Sequence, residues 1–325
     1  MRWRVGKKEG KGETVMVTGA SGFIGSTLVR RLLDRGYNVL NPGESAHRNP
    51  TKPAAMLWPL ASDPGGERLT TSSHSPPAPR LRIFRCNLFD GAARGCLPPR
   101  FSSPCIVDAV SDPQVPLPTK LRSWSQRQLI VPAVEGTLNV LRAAMDAGGV
   151  RRVVVTSSNS AIIPSPEWPA GEVRDERFWT DIDYCEKIRS THVPLVRYHE
   201  INKTLKGHHF GPGHAGCTEE YMDIFMGAVH VEDVALAHIL VFENPSASGR
   251  HLCIQSISHW SDLAAKIAEL YPNYKVPKFP KDTQPGLARA EVGSKKLIAL
   301  GLQISPLEKI IRDAVESLRT RGYIL

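Results

Sequence analysis

The eight residues TGASGFIG, at positions 18–25, constrain the fold of this chain more than any other stretch. Three glycines, Gly19, Gly22 and Gly25, recur at three-residue intervals between an apolar run and an amphipathic one. Val15 and Val17 ahead of them read as a short buried strand. Behind them Ile24, Leu28 and Leu32, with Val29 and Leu33 alongside, recur at helical spacing until Gly36 closes the helix, and a second strand follows through residue 40. Glycine is needed at each place for a different reason: Gly19 for a sharp turn, Gly22 so that the backbone approaches a pyrophosphate, Gly25 so that the helix packs closely against the sheet. Amides at the helix N-terminus then face the anion. This is a βαβ opening suited to a dinucleotide.

Beyond the opening the pattern is uneven. Residues 41–79 are rich in proline, glycine and serine and hold no sustained period, which predicts a long irregular insertion. RLRIFRCNLFD at 80–90 restores an alternating strand, and CIVDAV at 105–110 is a further strand candidate. Between them CLPPRFSSP carries too much proline for a central strand, because proline has no N–H for the ladder. After a second irregular patch at 115–128, VEGTLNVLRAAMDAGG predicts a helix over 134–149 with Leu138, Leu141 and Met145 on one face. It feeds the strand RRVVVTSS at 151–158, which sets Ser157 and Ser158 at a carboxyl end, where open α/β sheets bind ligands. A serine there can hold a carbonyl oxygen by a hydrogen bond, or it can satisfy its own backbone. The last third alternates helices with short strands. The order predicts an α/β fold with a parallel sheet covered by helices.

With 325 residues, 41% of them hydrophobic, the chain is long enough for one large domain or a domain with a smaller lobe. Its net charge of +9 is scattered and comes with no zinc-finger or recognition-helix signature, so nucleic acid is not an expected partner. Mild basicity suits anionic small molecules such as a cofactor pyrophosphate or a thioester of coenzyme A. The six cysteines form no C-x-x-C pair and no leader-like segment precedes them, which points to a reducing compartment. No apolar run reaches membrane-helix length, so a soluble, cytoplasmic protein without a membrane partner is expected. His208, His209, His214 and Cys217 match no closed metal-site spacing, and no metal is expected there. After the second strand Glu44 and Arg48 compete: a carboxylate would select NAD, a basic residue NADP.

The residues VTGASGFIGSTLVRRLLDRGY, PAVEGTLNVLRAA and RRVVVTSSNSAIIPSPEWPAGEVRDERFWTDIDYCEK, with nearly everything from GCTEEY to the C-terminus, resemble plant dihydroflavonol reductase and cinnamoyl-CoA reductase-like proteins of the extended short-chain dehydrogenase/reductase superfamily. The likeness covers roughly two thirds of the chain and leans toward the cinnamoyl-CoA reductase-like branch. It implies a Rossmann-type doubly wound parallel sheet with a smaller C-terminal substrate-binding lobe, NADPH as cofactor, and reduction of an aldehyde, ketone or acyl-CoA carbonyl. It further implies that Ser21, Phe23 and Ile24 join the three glycines in holding the cofactor, that Asn87 and Leu88 stand for the adenine-side Asp-Leu pair, and that Arg48 serves the 2′-phosphate.

The family works with a serine, a tyrosine and a lysine: the tyrosine protonates the carbonyl oxygen, and the lysine lowers its pKa while holding the nicotinamide ribose. By position the serine is Ser158, beside Ser157. The tyrosine and lysine are expected as Tyr-x-x-x-Lys on a helix, whereas YHEINKTL sets Tyr198 five residues before Lys203. Four residues are about 400° of helical rotation, nearly one face; five are about 500°, some 140° round the barrel. The chain's other pairs, Tyr271 with Lys275 and Tyr274 with Lys278, have the family spacing but sit among prolines and read as surface loop.

Further departures accompany this one. The family's extension of the second strand is replaced by the Pro-rich insertion, its fourth strand by CLPPRFSSP, and the strand after the catalytic helix is missing between Cys185 and GCTEEY. Losses flanked by family-like sequence have the form of altered splicing or a shifted reading frame. The expected division is a disordered basic arm (1–13), a dinucleotide-binding domain (14–184, with 41–79 as insertion), an altered catalytic-helix region (185–217) and a mixed region with the substrate lobe (218–325). The expected function is an NADPH-dependent carbonyl reductase; the alternative is a catalytically impaired, nucleotide-binding relative. Oligomeric state is not legible.

Overall fold

The computed structural model describes residues 12–20, 22–43, 80–85, 105–108, 126–162, 167, 169, 172–173, 175–177, 179–183, 225–274, 276 and 293–320. By contacts the chain divides into two units, Met1–Ser157 with Val234–Ser248, and Ser158–Asp233 with Gly249–Leu325.

The first unit is organised by β1 (Thr14–Val17), whose alternation decides what lies on each side of it. Val15 and Val17 point to one face and Met16 to the other, and all three are buried. On the first face they meet Leu28, Val29 and Leu32 of α1 (Phe23–Asp34). Met16 instead meets Val140, Ala143 and Ala144 of α2 (Gln126–Asp146). A strand buried on both faces belongs in the middle of a parallel sheet. There β1 pairs in parallel with β2 (Asn38–Gly43) on one side and β4 (Cys105–Asp108) on the other. Adding β3 (Leu81–Arg85) and β5 (Val153–Thr156) gives the parallel order β3-β2-β1-β4-β5. This is the Rossmann-type doubly wound sheet that the sequence predicts. Strand order reverses between β1 and β4, so the turn after β1 opens at the topological switch point.

Three details correct the sequence reading. First, the irregular insertion does not begin at residue 41: β2 runs to Gly43, paired with β3 from Val39↔Leu81 to Gly43↔Arg85. Pro42 is tolerated because β1 pairs with β2 only through Met16↔Leu40, so at 42 one neighbour no longer asks for a donor. Second, the place of the fourth strand is filled. Cys105–Asp108, just past CLPPRFSSP, pairs with both β1 and β5. Third, α2 begins at Gln126, before Val134, and turns a different face inward. Gly136, Val140, Ala143 and Ala144 are buried, while Met145 is 78% exposed. Small residues let the helix backbone approach the sheet, so the bulkier Leu138, Leu141 and Met145 are left at the margin.

The last helix of this unit comes from the last third of the sequence and joins the unit from Val234 onward. α3 (Val231–Glu243) places Ala235, Ile239 and Phe242 in the same cluster as Val15, Leu28 and Val39. Polar contacts to Glu243 and from Arg152 help to lock it. Glu243 accepts from Arg35 at 2.8 Å and from the Tyr37 hydroxyl at 2.9 Å; burial and the Glu243 carboxylate together push the Tyr37 phenol up. The Arg152 guanidinium donates to the carbonyls of Val241 (3.1 Å), Pro245 (3.2 Å) and Ala247 (2.7 Å), satisfying acceptors at and beyond the helix C-terminus.

The second unit holds the antiparallel pair β6 (Phe225–Ala228) and β7 (Ser256–His259), followed by α4 (Trp260–Leu270), α5 (Lys295–Ala299) and α6 (Leu307–Thr320). α4 starts on a reciprocal cap in which the Ser261 amide donates to His259 Nδ1 and the His259 amide to Asp262. Its core is Trp260, Leu263, Ile267 and Ile311. Residues 271–274 form a loop, as expected, with Pro272 and Asn273 exposed, while the Tyr271 and Tyr274 rings pack against that core beneath Arg319. Lys275 and Lys278 lie outside the described residues. Among the described residues no helix is long and apolar enough to cross a membrane.

Candidate functional site

The carboxyl edge of the parallel sheet carries two features, one after β1 and one after β5. After β1 the chain turns at Gly19, whose φ of 62° lies in the left-handed region that side chains disfavour. The Gly22 amide donates to the Gly19 carbonyl at 2.8 Å and closes the turn, and Gly22, extended at φ −74° and ψ 175°, begins α1. Gly25 is forced by contact. A Cβ there would lie 2.2 Å from the Gly19 oxygen and 2.8 Å from the Ala20 Cα. The glycine spacing predicts close helix–sheet packing at Gly25; the clash is with the turn itself.

Phe23, Ile24 and Gly25 form the first turn of α1, where helical geometry leaves the amides without an i−4 acceptor. No acidic residue stands in that turn to repel an anion. Ser26 and Thr27 fold their hydroxyls back onto the Phe23 carbonyl, at 3.3 and 3.2 Å. The Phe23 side chain is 67% exposed. A tight glycine turn, open amides and the positive end of a helix dipole together fit a dinucleotide pyrophosphate.

At the end of β5, Thr156 Oγ1 lies 2.8 Å from His238 Nε2. His238 Nδ1 lies 2.7 Å from the Val234 carbonyl, which can only accept, so Nδ1 carries the proton. Burial holds the imidazole pKa below the usual histidine range. The ring is therefore neutral, and Nε2 accepts the Thr156 hydroxyl proton. Ser157 and Ser158, the next two residues, are both exposed. The Ser158 carbonyl receives the Ala161 amide at 2.9 Å, which starts the 3₁₀ turn Asn159–Ile162.

Neither Thr156 nor His238 was singled out by sequence reasoning. The available signal was a histidine at a core position of the apolar run VALAHILVF. A lowered histidine pKa has a measurable consequence. Between the ordinary value of about 6.5 and the lower folded value, the unfolded chain binds the extra proton and the folded chain does not. Stability from this group is present above about 6.5 and is lost as pH falls through that window. His251 titrates in the same direction, again chiefly through burial. Urea midpoints at about pH 7.5 and about pH 5.5 are therefore expected to differ more in the wild type than in His238→Gln, and an equal difference would refute the neutral assignment.

Of the site residues read from the sequence, the structure brings Gly19, Gly22, Phe23, Ile24 and Gly25 into one turn and helix start, and sets Ser158 just past β5. Ser21, Arg48, Asn87, Leu88, Tyr198 and Lys203 lie outside the described residues, as do His208, His209, His214 and Cys217. Among the described residues no group of three or more His, Cys, Asp or Glu side chains is placed to hold a metal. Cys253 of the second unit has its thiol pushed up to about 12, chiefly by burial and then by Asp233, so it is no nucleophile at neutral pH. The same unit holds Arg250 stacked 3.6 Å over the Trp179 ring, with its guanidinium donating to the Glu176 carbonyl and Glu176 accepting from the Leu252 amide at 2.7 Å.

The pattern of the NAD dependent epimerase/dehydratase family matches residues 15–179, from β1 through the strand-end serines to Trp179. The chain belongs to this family. Cinnamoyl-CoA reductase CAD2 of Medicago truncatula is 32% identical to it, over 96% of this chain and 97% of that protein. Among solved structures, vestitone reductase from alfalfa (Medicago sativa L.) superposes with a TM-score of 0.65 at 20% identity, covering 96% of this chain and 99% of the other. Yeast methylglyoxal/isovaleraldehyde reductase Gre2, complexed with NADPH, gives 0.63 at 18% identity, with 96% and 100% covered. Family membership accounts for the glycine turn at the switch point, since β1, the turn and α1 all fall within the matched residues.

Proposed function

We propose that this protein is an NADPH-dependent reductase of an aldehyde, ketone or acyl-CoA carbonyl, acting on small phenylpropanoid-type substrates. The observation that carries the reading is its near end-to-end similarity to a cinnamoyl-CoA reductase, 32% identical over 96% of the chain. The glycine turn receives the cofactor pyrophosphate on the amides of the first turn of α1. Asn87 and Leu88 serve the adenine side and Arg48 the 2′-phosphate. When bound, the nicotinamide supplies a hydride. Ser158 holds the carbonyl oxygen by a hydrogen bond, Tyr198 gives that oxygen its proton, and Lys203 keeps the phenol acidic enough to do so while binding the ribose.

The spacing of Tyr198 and Lys203, five residues instead of four, favours a second reading in which the nucleotide binds and the chemistry is impaired. One experiment separates the two. The purified chain is titrated with NADPH, following tryptophan fluorescence, and then supplied with a panel of cinnamaldehydes and cinnamoyl-CoA thioesters while NADPH consumption is recorded. Saturable binding with turnover is the expected result. Binding without turnover establishes the second reading, and a folded sample that binds no NADPH overturns both.

A further inference from the structure

We infer that His238 is a positioning residue, fixing through Thr156 the end of the strand from which the proposed carbonyl-binding serine follows. The role of Ser158 in this statement rests on the reductase reading above. β5 is only four residues long and, among the described residues, terminates the sheet, pairing with β4 alone. A short strand paired on one side frays readily, and Val155 within it is already 43% exposed. Yet the two residues that follow it need a fixed place if a hydrogen bond is to reach a reacting carbonyl.

The structure ties both ends of this strand to one helix. Arg152, the residue before β5, is bound to the Val241 carbonyl in the last turn of α3 and to the Pro245 and Ala247 carbonyls just past its end. Thr156, its last residue, is bound to His238 in the middle of the same helix. His238 is held in turn by its Nδ1–H on the Val234 carbonyl, so both ring nitrogens are committed and the imidazole cannot swing. Packing alone does not ask for a histidine here. Its helix neighbours Ala235, Ala237, Ile239 and Phe242 are apolar and buried, and His238 itself is 9% exposed. An apolar side chain would fill this place without the cost of desolvating an imidazole. The histidine is the group on α3 that accepts the Thr156 hydroxyl, and Ser158 is two residues further along the chain.

Four variants test this. Thr156→Val and His238→Phe remove the hydrogen bond; Thr156→Ser and His238→Gln keep a donor and an acceptor. Amide hydrogen exchange at Ser157 and Ser158 is expected to quicken about ten-fold or more in the first pair, with β1 amides unchanged, and to stay near wild type in the second. In steady-state assays the first pair is expected to lose about 10- to 100-fold in kcat while the NADPH dissociation constant stays within about two-fold, and the second pair to recover most of the loss. A merely structural contact would lower thermal stability and leave kcat of the folded enzyme alone. Unchanged exchange at the strand end in Thr156→Val overturns the inference, and so does altered exchange with wild-type kcat. Should His238→Phe not fold, Thr156→Val carries the test by itself, because Thr156 is half-buried and valine has nearly its shape. If the wild-type protein turns over no carbonyl, the reductase reading fails, and the exchange measurement still decides whether His238 anchors the strand.

Discussion

Replacing Gly25 with alanine is expected to remove NADPH binding and to destabilise the first unit by about 1–3 kcal/mol. A single methyl group does this because both of its near neighbours are backbone: the Gly19 oxygen at 2.2 Å and the Ala20 Cα at 2.8 Å. A flexible side chain would move aside, but the Gly19 carbonyl is already held by the Gly22 amide at 2.8 Å. To make room, α1 must back away from the turn. Its first amides then leave the place where a pyrophosphate would meet them, and Leu28, Val29 and Leu32 are pulled from the cluster they share with Val15 and Val17. Urea unfolding and an NADPH titration measure the two effects together. Ser26→Ala, one residue on, is the control and is expected to change stability by less than about 0.5 kcal/mol. Wild-type affinity in a folded Gly25→Ala protein would show that the turn does not hold the nucleotide.

Tyr198→Phe is expected to lower kcat by about 100- to 10,000-fold and to leave NADPH affinity unchanged. The phenol is the proposed proton donor and makes no proposed contact with the cofactor, so its loss acts on the chemical step alone. Lys203→Ala is expected to differ in kind: the lysine is proposed to bind the ribose as well, so its loss weakens cofactor binding and turnover together. The split between the two variants matters more than either loss. Full activity in Tyr198→Phe would remove the tyrosine from the mechanism and leave the five-residue spacing to Lys203 without functional meaning.

What the sequence makes legible follows a simple physical division. The glycine turn was legible because every constraint on it is local: Gly19 needs its φ, Gly22 begins the helix, and Gly25 clashes with an atom six residues away. The same holds for β1 and α1, whose apolar periods lie within a few residues of each other. The fourth strand was harder. CLPPRFSSP contains the prolines and CIVD does not, but only pairing on both sides, with β1 and β5, shows that the short run after the prolines takes the central place. The inward face of α2 differs from the one its periodicity predicts for a related reason. Periodicity finds the bulkiest stripe, whereas a helix packed closely on a sheet buries its small residues, here Gly136, Ala143 and Ala144.

The candidate site divides in the same way. The places of Gly19, Gly22, Gly25 and Ser158 are legible because each stands at a strand end or helix start that the pattern announces. Thr156 and His238 are not, since their hydrogen bond joins residues 82 positions apart and neither has meaning without the other. The sequence by itself determined the βαβ opening, its glycine turn and the serines after β5, all through steric and periodic rules that act over a few residues. The tertiary structure alone decided the order of the sheet and brought α3 from the last third of the chain onto the face of β1. It also decided the protonation of His238, because a ring nitrogen acquires its tautomer from the partners that folding places around it.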